Sequence, residues 1–119
     1  MVESSAKVRP WREAVRQEAL ATGLAIITSA PIFLCLTFRF ARPKGHHNSK
    51  GQLKPSAPID HITRPDLDKL CRSTLDGLTG VLFSDDSQVA FMVASKQYCT
   101  PGDPDTELEG CQIEIKTIE

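Results

Sequence analysis

Hydrophobic positions recur along this chain in two rhythms, one helical and one alternating. Trp11, Ala14, Val15 and Ala19 return at helical spacing, with Arg12, Glu13, Arg16 and Gln17 on the other side. Pro10 suits the first turn of that helix, and Gly23 after Thr22 is a stop signal. Residues 1–9 are polar and predict a frayed or extended lead-in. Ile32, Leu34, Leu36, Phe38 and Phe40 then alternate with Phe33, Cys35, Thr37 and Arg39, the period of a strand packed on one face. After Pro65 the helical period returns. Asp66 is a good N-cap, Leu67, Leu70, Cys71, Leu75 and Leu78 form one apolar face, and Gly77 or Gly80 marks the end. Val89, Phe91 and Val93 alternate with Ala90, Met92 and Ala94 as a second strand. Gln112–Ile118 alternates again, as a closing strand antiparallel to the one before it. The order helix, strand, loop, helix, strand, strand predicts an α+β fold, with a small mixed β-sheet of about three strands packed against two helices.

The stretches without a period are as informative. Residues 41–63 are rich in proline and glycine and predict a long loop, and a loop of that length in a small domain is commonly functional or disordered. Residues 101–110 form a second loop. Residues 19–38 are uncharged and long enough to raise a membrane helix. Thr22, Thr28, Ser29 and Thr37 dilute them, however, and Ser29-Ala30-Pro31 breaks them before the alternation starts. A helix end followed by a buried strand is the better reading, and no membrane partner is expected. No secretory signal pattern is present either.

Length and composition change this picture little. The 119 residues fit one domain, and 40% hydrophobic with 24% charged residues is ordinary for a globular protein. The net charge of −1 hides a segregation. Arg39, Arg42, Lys44, Lys50, Lys54 and Arg64 face only Asp60, whereas Asp103, Asp105, Glu107, Glu109, Glu114 and Glu119 face only Lys116. The basic half suits an anionic partner, although a solvated loop and an acidic tail account for the same numbers. Cys35, Cys71, Cys99 and Cys111 lack C-x-x-C spacing, which argues against a zinc ribbon or a thioredoxin-like site. Cys35 and Cys71 sit in apolar patterns, Cys99 and Cys111 flank a loop, and free thiols in a reducing cytoplasm are expected. His46, His47 and His61 lack ligand spacing, and Trp11 reads as a core anchor.

The chemistry concentrates at Arg64–Val89. Five aspartates, Asp66, Asp68, Asp76, Asp85 and Asp86, fall within it. Carboxylates gathered in this way need a cation, basic groups or shared protons. An Asp-x-Asp at the start of a helix, with an acidic pair after it, suits Mg²⁺, which could polarise a phosphate and activate water. Arg72, one turn beyond Asp68, could neutralise charge on phosphate. The plainer alternative makes Asp66 a cap, Asp68–Arg72 a surface ion pair and Asp85-Asp86 a turn.

The segments RPDLDKLCRSTLDGLTG at 64–80 and SDDSQV at 84–89 resemble the RusA family of Holliday junction resolvases, especially phage and prophage forms. The resemblance extends more loosely to VRPWREAVRQEA, to IFLCLTFRF with its following RPK, and to the terminal IEI. It implies that Asp66, Asp68 and Asp86 ligate Mg²⁺ or Mn²⁺, with Asp85 in support. The family's basic catalytic position, commonly Lys, falls on Arg72, where charge stabilisation is a safer role than proton transfer. Lys69 stands where the family often has Asn. The resemblance also implies branched DNA, four-way junctions above all, as substrate, hydrolysis of its phosphodiester bonds, and a homodimer with two active sites. Arg42, Lys44, Lys50, Lys54, Arg64 and Lys69 are the expected DNA contacts. Family members usually carry a further strand and a basic segment before the first helix, and this chain starts almost at that helix. A non-catalytic DNA-binding or interaction module, a shortened remnant of such a resolvase, is the alternative.

Overall fold

The computed structural model describes residues 5–103, 107 and 109–118, with side chains described from Trp11 onward. Two helices, α1 (Ser5–Ala21) and α2 (Leu67–Leu78), pack on a sheet of β1 (Ile32–Phe40), β2 (Val89–Tyr98) and β3 (Gly110–Thr117). Short 3-10 turns occupy Lys44–His46 and Asp86–Gln88. The α+β expectation therefore holds, with a mixed sheet.

The sheet order is β2-β1-β3. β1 runs parallel to β2, Leu36 facing Ala94, and antiparallel to β3, Leu36 facing Ile113. The expected pairing of the closing strand is corrected here. β3 does run antiparallel, but it bonds to β1 and leaves β2 at the sheet edge. Alternation fixes a strand's faces and says nothing of its neighbour. β1 is the most apolar strand and takes the centre. Val89 faces Ile32 and Phe91 faces Phe33, so Ala90 is an extra residue at a bulge.

One face of β1 makes the core. Ile32, Leu34, Leu36 and Phe38 are buried against Val15 and Ala19 of α1, Leu70, Cys71 and Leu78 of α2, and Val81, Leu82 and Phe83 of the turn after it. Each such side chain contributes about 1.5–3 kcal/mol by leaving water. α1 extends further than expected. Residues 5–9 are helical and Pro10 lies inside the helix, while residues 1–4 are outside the described set. Gly77 does not end α2. It lies where α1 crosses, and a Cβ there would stand 2.9 Å from the Arg12 carbonyl oxygen and 3.0 Å from Val15 Cβ. The helix ends at Leu78, and Gly80, with φ +82°, turns the chain back.

Three cross-links align the helices. Trp11 Nε1 donates to Thr74 Oγ1 at 3.2 Å, Arg16 donates to the Thr79 carbonyl at 3.2 Å, and Arg12 pairs with Asp76 at 3.8 Å. Trp11 is thus the expected core anchor. The apolar run at 19–38 divides into the end of α1, an irregular segment and β1, and no helix among the described residues is long and apolar enough to cross a membrane. All four cysteines are free, as expected; Cys71 and Cys99 are buried, and Cys111 is pushed up to about 12, chiefly by burial.

Candidate functional site

The Asp-x-Asp pair stands at the start of α2, where the sequence expects it. Asp66 occupies the N-cap position in extended conformation, but its side chain makes no capping hydrogen bond, which corrects that part of the plain reading. Its carboxylate instead lies 3.7 Å from Lys69 Nζ. Both residues are exposed, as are Asp68 and Arg72. Asp68 and Arg72 share a helix face but form no ion pair within 4.0 Å, and Asp76, the third member of that stripe, turns to Arg12 on α1. Asp66 and Asp68 thus present carboxylates to solvent that no buried contact requires.

Lys96 fixes the approach to this pair. Its amine donates to the Thr63 carbonyl at 2.6 Å and to the Pro65 carbonyl at 2.8 Å. The chain entering α2 is thereby fastened to the far half of β2. Arg64 is joined to Pro65 by a cis peptide bond, and its side chain is exposed. Nothing in the sequence marks Lys96 for this role, since it is a lone lysine just past the alternating run 89–94.

Asp85 and Asp86 form the turn into β2. Asp85 accepts from the Ser87 backbone N–H at 2.9 Å, while the Gln88 side chain accepts from Asp85 N–H at 2.9 Å, a reciprocal capping box. The hydrogen bonds from Ser87 hold the Asp85 carboxyl below its usual range. Gln88 also donates to the Ile27 and Ala30 carbonyls, both at 3.1 Å, and so ties this turn to the segment before β1. The spacing Asp85-x-x-Gln88 is the signal that could have identified this role. Asp85 is therefore occupied by its own turn, and Asp86 is left exposed beside it.

The two acidic pairs are not brought together within the chain. α2 has 12 residues, so its ends lie about 18 Å apart. Asp66 and Asp68 are at one end, and the turn carrying Asp85 and Asp86 follows the other. Among the described residues, no group of three or more His, Cys, Asp or Glu side chains is arranged to hold a metal ion. The donors have the hard oxygen chemistry that Mg²⁺ takes, but one chain does not assemble them.

The basic loop is organised by one of its own arginines. Arg42 donates to the Cys99 carbonyl at 2.7 Å and the Pro58 carbonyl at 2.6 Å, meets His46 Nδ1 at 3.3 Å, and lies 5.3 Å over the Tyr98 ring. Its guanidinium is largely committed inside the fold. Lys44, Lys50 and Lys54 are exposed on the same loop. His61 is buried between Phe40, at 4.0 Å between ring centroids, and Tyr98, at 4.9 Å. It is a packing residue of the loop, which its place in a Pro-rich stretch concealed. Burial, with Lys96 nearby, lowers its pKa.

No curated protein matches the chain at a significant level. A family model described as endodeoxyribonuclease RusA matches residues 2–109, which takes in both helices, β1, β2, the basic loop and both acidic pairs. By that match, over most of its length, the chain belongs to the RusA endodeoxyribonuclease family.

Proposed function

We propose that this chain is a metal-dependent endonuclease that cuts branched DNA, four-way junctions in particular, by hydrolysing phosphodiester bonds. The observation that carries the reading is the exposed Asp66–Asp68 pair at the start of α2, inside a stretch that the RusA model matches. Arg72, exposed four residues after Asp68, can meet charge on a phosphate without giving up a proton. Lys44, Lys50 and Lys54, exposed on the basic loop, offer a track for the DNA backbone, with Arg64 and Lys69 next to Asp66 in sequence and Lys69 paired with it. Arg42 acts behind them by holding the loop. The metal is Mg²⁺ or Mn²⁺, with Asp66, Asp68 and Asp86 as ligands and Asp85 as the support that fixes the Asp86 turn. Paired incision of a junction needs two sites, hence a homodimer.

The test is cleavage of a synthetic four-way junction in Mg²⁺. Asp68→Asn should lower cleavage by on the order of 100-fold or more, the scale of a lost electrostatic contact to a transition state, and leave junction binding in place. The separation of the two acidic pairs favours a second reading, a non-catalytic DNA-binding module. Binding without cutting by both the unaltered chain and Asp68→Asn would establish that reading instead.

A further inference from the structure

The two most exposed large apolar side chains among the described residues, Ile62 at 88% and Ile59 at 67%, stand on one short stretch of the basic loop. Single apolar side chains on a surface are ordinary. What sets Ile62 apart is how the chain holds it out. Before it, Arg42 donates to the Pro58 carbonyl at 2.6 Å, Tyr98 N–H donates to the Ile59 carbonyl at 2.9 Å, and Asp60 bridges Gln97. His61 N–H donates to the Lys96 carbonyl at 3.1 Å, and the His61 ring is buried on Phe40. After it, Thr63 Oγ1 lies 3.2 Å from His61 Nε2, and the Thr63 carbonyl accepts from the Lys96 amine at 2.6 Å. Both chain neighbours of Ile62 are therefore fastened to β2. Ile62 cannot turn inward without breaking these bonds.

The same clamp places Ile62 beside the carboxylates. The Lys96 amine that holds Thr63 also holds the Pro65 carbonyl at 2.8 Å, directly before Asp66. From Ile62 to Asp66 the chain spans at most about 14 Å. A DNA strand advances about 3.4 Å per nucleotide, so Ile62 reaches bases within about four steps of a phosphate held at Asp66 and Asp68. Arg64, between them, and Lys69 are exposed and positive, and Asp60 is the one acid from residue 58 to residue 64. An apolar tip in cationic surroundings fits DNA bases flanked by phosphates better than an apolar protein surface.

We infer that Ile62 is a wedge that enters the base stack at a DNA branch point, a few nucleotides from the phosphate at Asp66 and Asp68, and sets the preference for branched over linear DNA. The inference rests on the DNA-cutting reading above. Inserting a side chain into a linear duplex must part a continuous stack. At a branch point the strands change partners and the stack is already interrupted, so the same insertion costs less. Ile62 has no polar side-chain atom with which to read a base edge, so it discriminates by shape and not by sequence.

The test places 2-aminopurine at the branch point of a four-way junction, with Ca²⁺ in place of Mg²⁺ to hold off cleavage. Its fluorescence rises when the base leaves the stack. The unaltered chain at saturation should raise it several-fold. Ile62→Ser should bind the junction with little rise, and its preference for junction over linear duplex should fall by on the order of tenfold. Ile62→Leu should restore both. Ile62→Ala is the second variant, with the same expectation as Ile62→Ser, should that chain misfold. An equal rise with folded Ile62→Ser, or a bound junction that never brightens, would overturn the wedge and leave the hydrolytic reading to the cleavage test. An unaltered chain that neither binds nor cuts the junction would overturn both. Sedimentation is compared in parallel. A smaller species for Ile62→Ser than for the unaltered chain would assign Ile62 to a contact between copies and overturn the wedge.

Discussion

Arg42 and His61 show how a side chain's surroundings redirect its chemistry. Both sit in a basic, histidine-bearing loop, and composition makes each of them a candidate for phosphate. Arg42 instead donates to two backbone carbonyls, and His61 stacks on Phe40. A histidine buried as the neutral ring has a folded pKa below its unfolded one, so the unfolded chain binds the extra proton first. Stability is then fully present above the ordinary value near 6.5 and falls as the pH drops through that value toward the lowered one. Urea unfolding between pH 7.5 and 5 should show this loss, and His61→Phe should flatten it. An unchanged slope in His61→Phe would mean that other groups carry the acid sensitivity. Such roles are not visible in sequence, because they depend on partners such as Tyr98 and Lys96 that lie far along the chain.

The elements were legible where a period was strong. β1 was bounded correctly by alternation alone, and α2 by its apolar face together with Pro65. The sequence places the start of α1 near Pro10, a residue that suits a first turn, yet the helix continues on both sides of it. Of the two glycines that mark the region of the helix end, Gly80 makes the turn after Leu78 and Gly77 serves the crossing with α1. A glycine late in a helix reads as a stop, whereas here it admits the backbone of α1. Gly77→Ala should therefore destabilise the protein by about 1–3 kcal/mol, since overpacking outweighs the gain of about 1 kcal/mol in helix propensity. Thermal unfolding would detect that loss, and a raised melting temperature would show that the α1–α2 crossing yields easily. The same crossing bears on the site, because α2 carries Asp66 and Asp68 at its far end. Of the candidate site, the sequence located every carboxylate on its element. It could not reveal the distance between them, which depends on the direction of α2 along β2.

For the molecule as a whole, segregated charge was the clearest guide to a partner. Lys44, Lys50 and Lys54 stand free on the loop, while Asp105 and Glu119 of the acidic segment lie outside the described residues. If these lysines track a DNA backbone, junction affinity should fall steeply with salt, and each Lys→Ala change should lower the slope of log affinity against log salt by about 1. A slope unchanged in the triple variant would remove the loop from the DNA surface. Sheet order was the feature least legible at this scale, since alternation is blind to neighbours. That order has a kinetic consequence. β1 is made early and lies at the centre of the core, but both of its neighbours, β2 and β3, are made after α2. During synthesis this apolar strand therefore waits, with neither edge satisfied, until about the last quarter of the chain emerges. The sheet therefore depends on long-range pairing, which is slow and exposes the nascent chain to aggregation. The Trp11–Thr74 and Arg16–Thr79 links between helices offer an earlier foothold, because they close before either neighbouring strand exists.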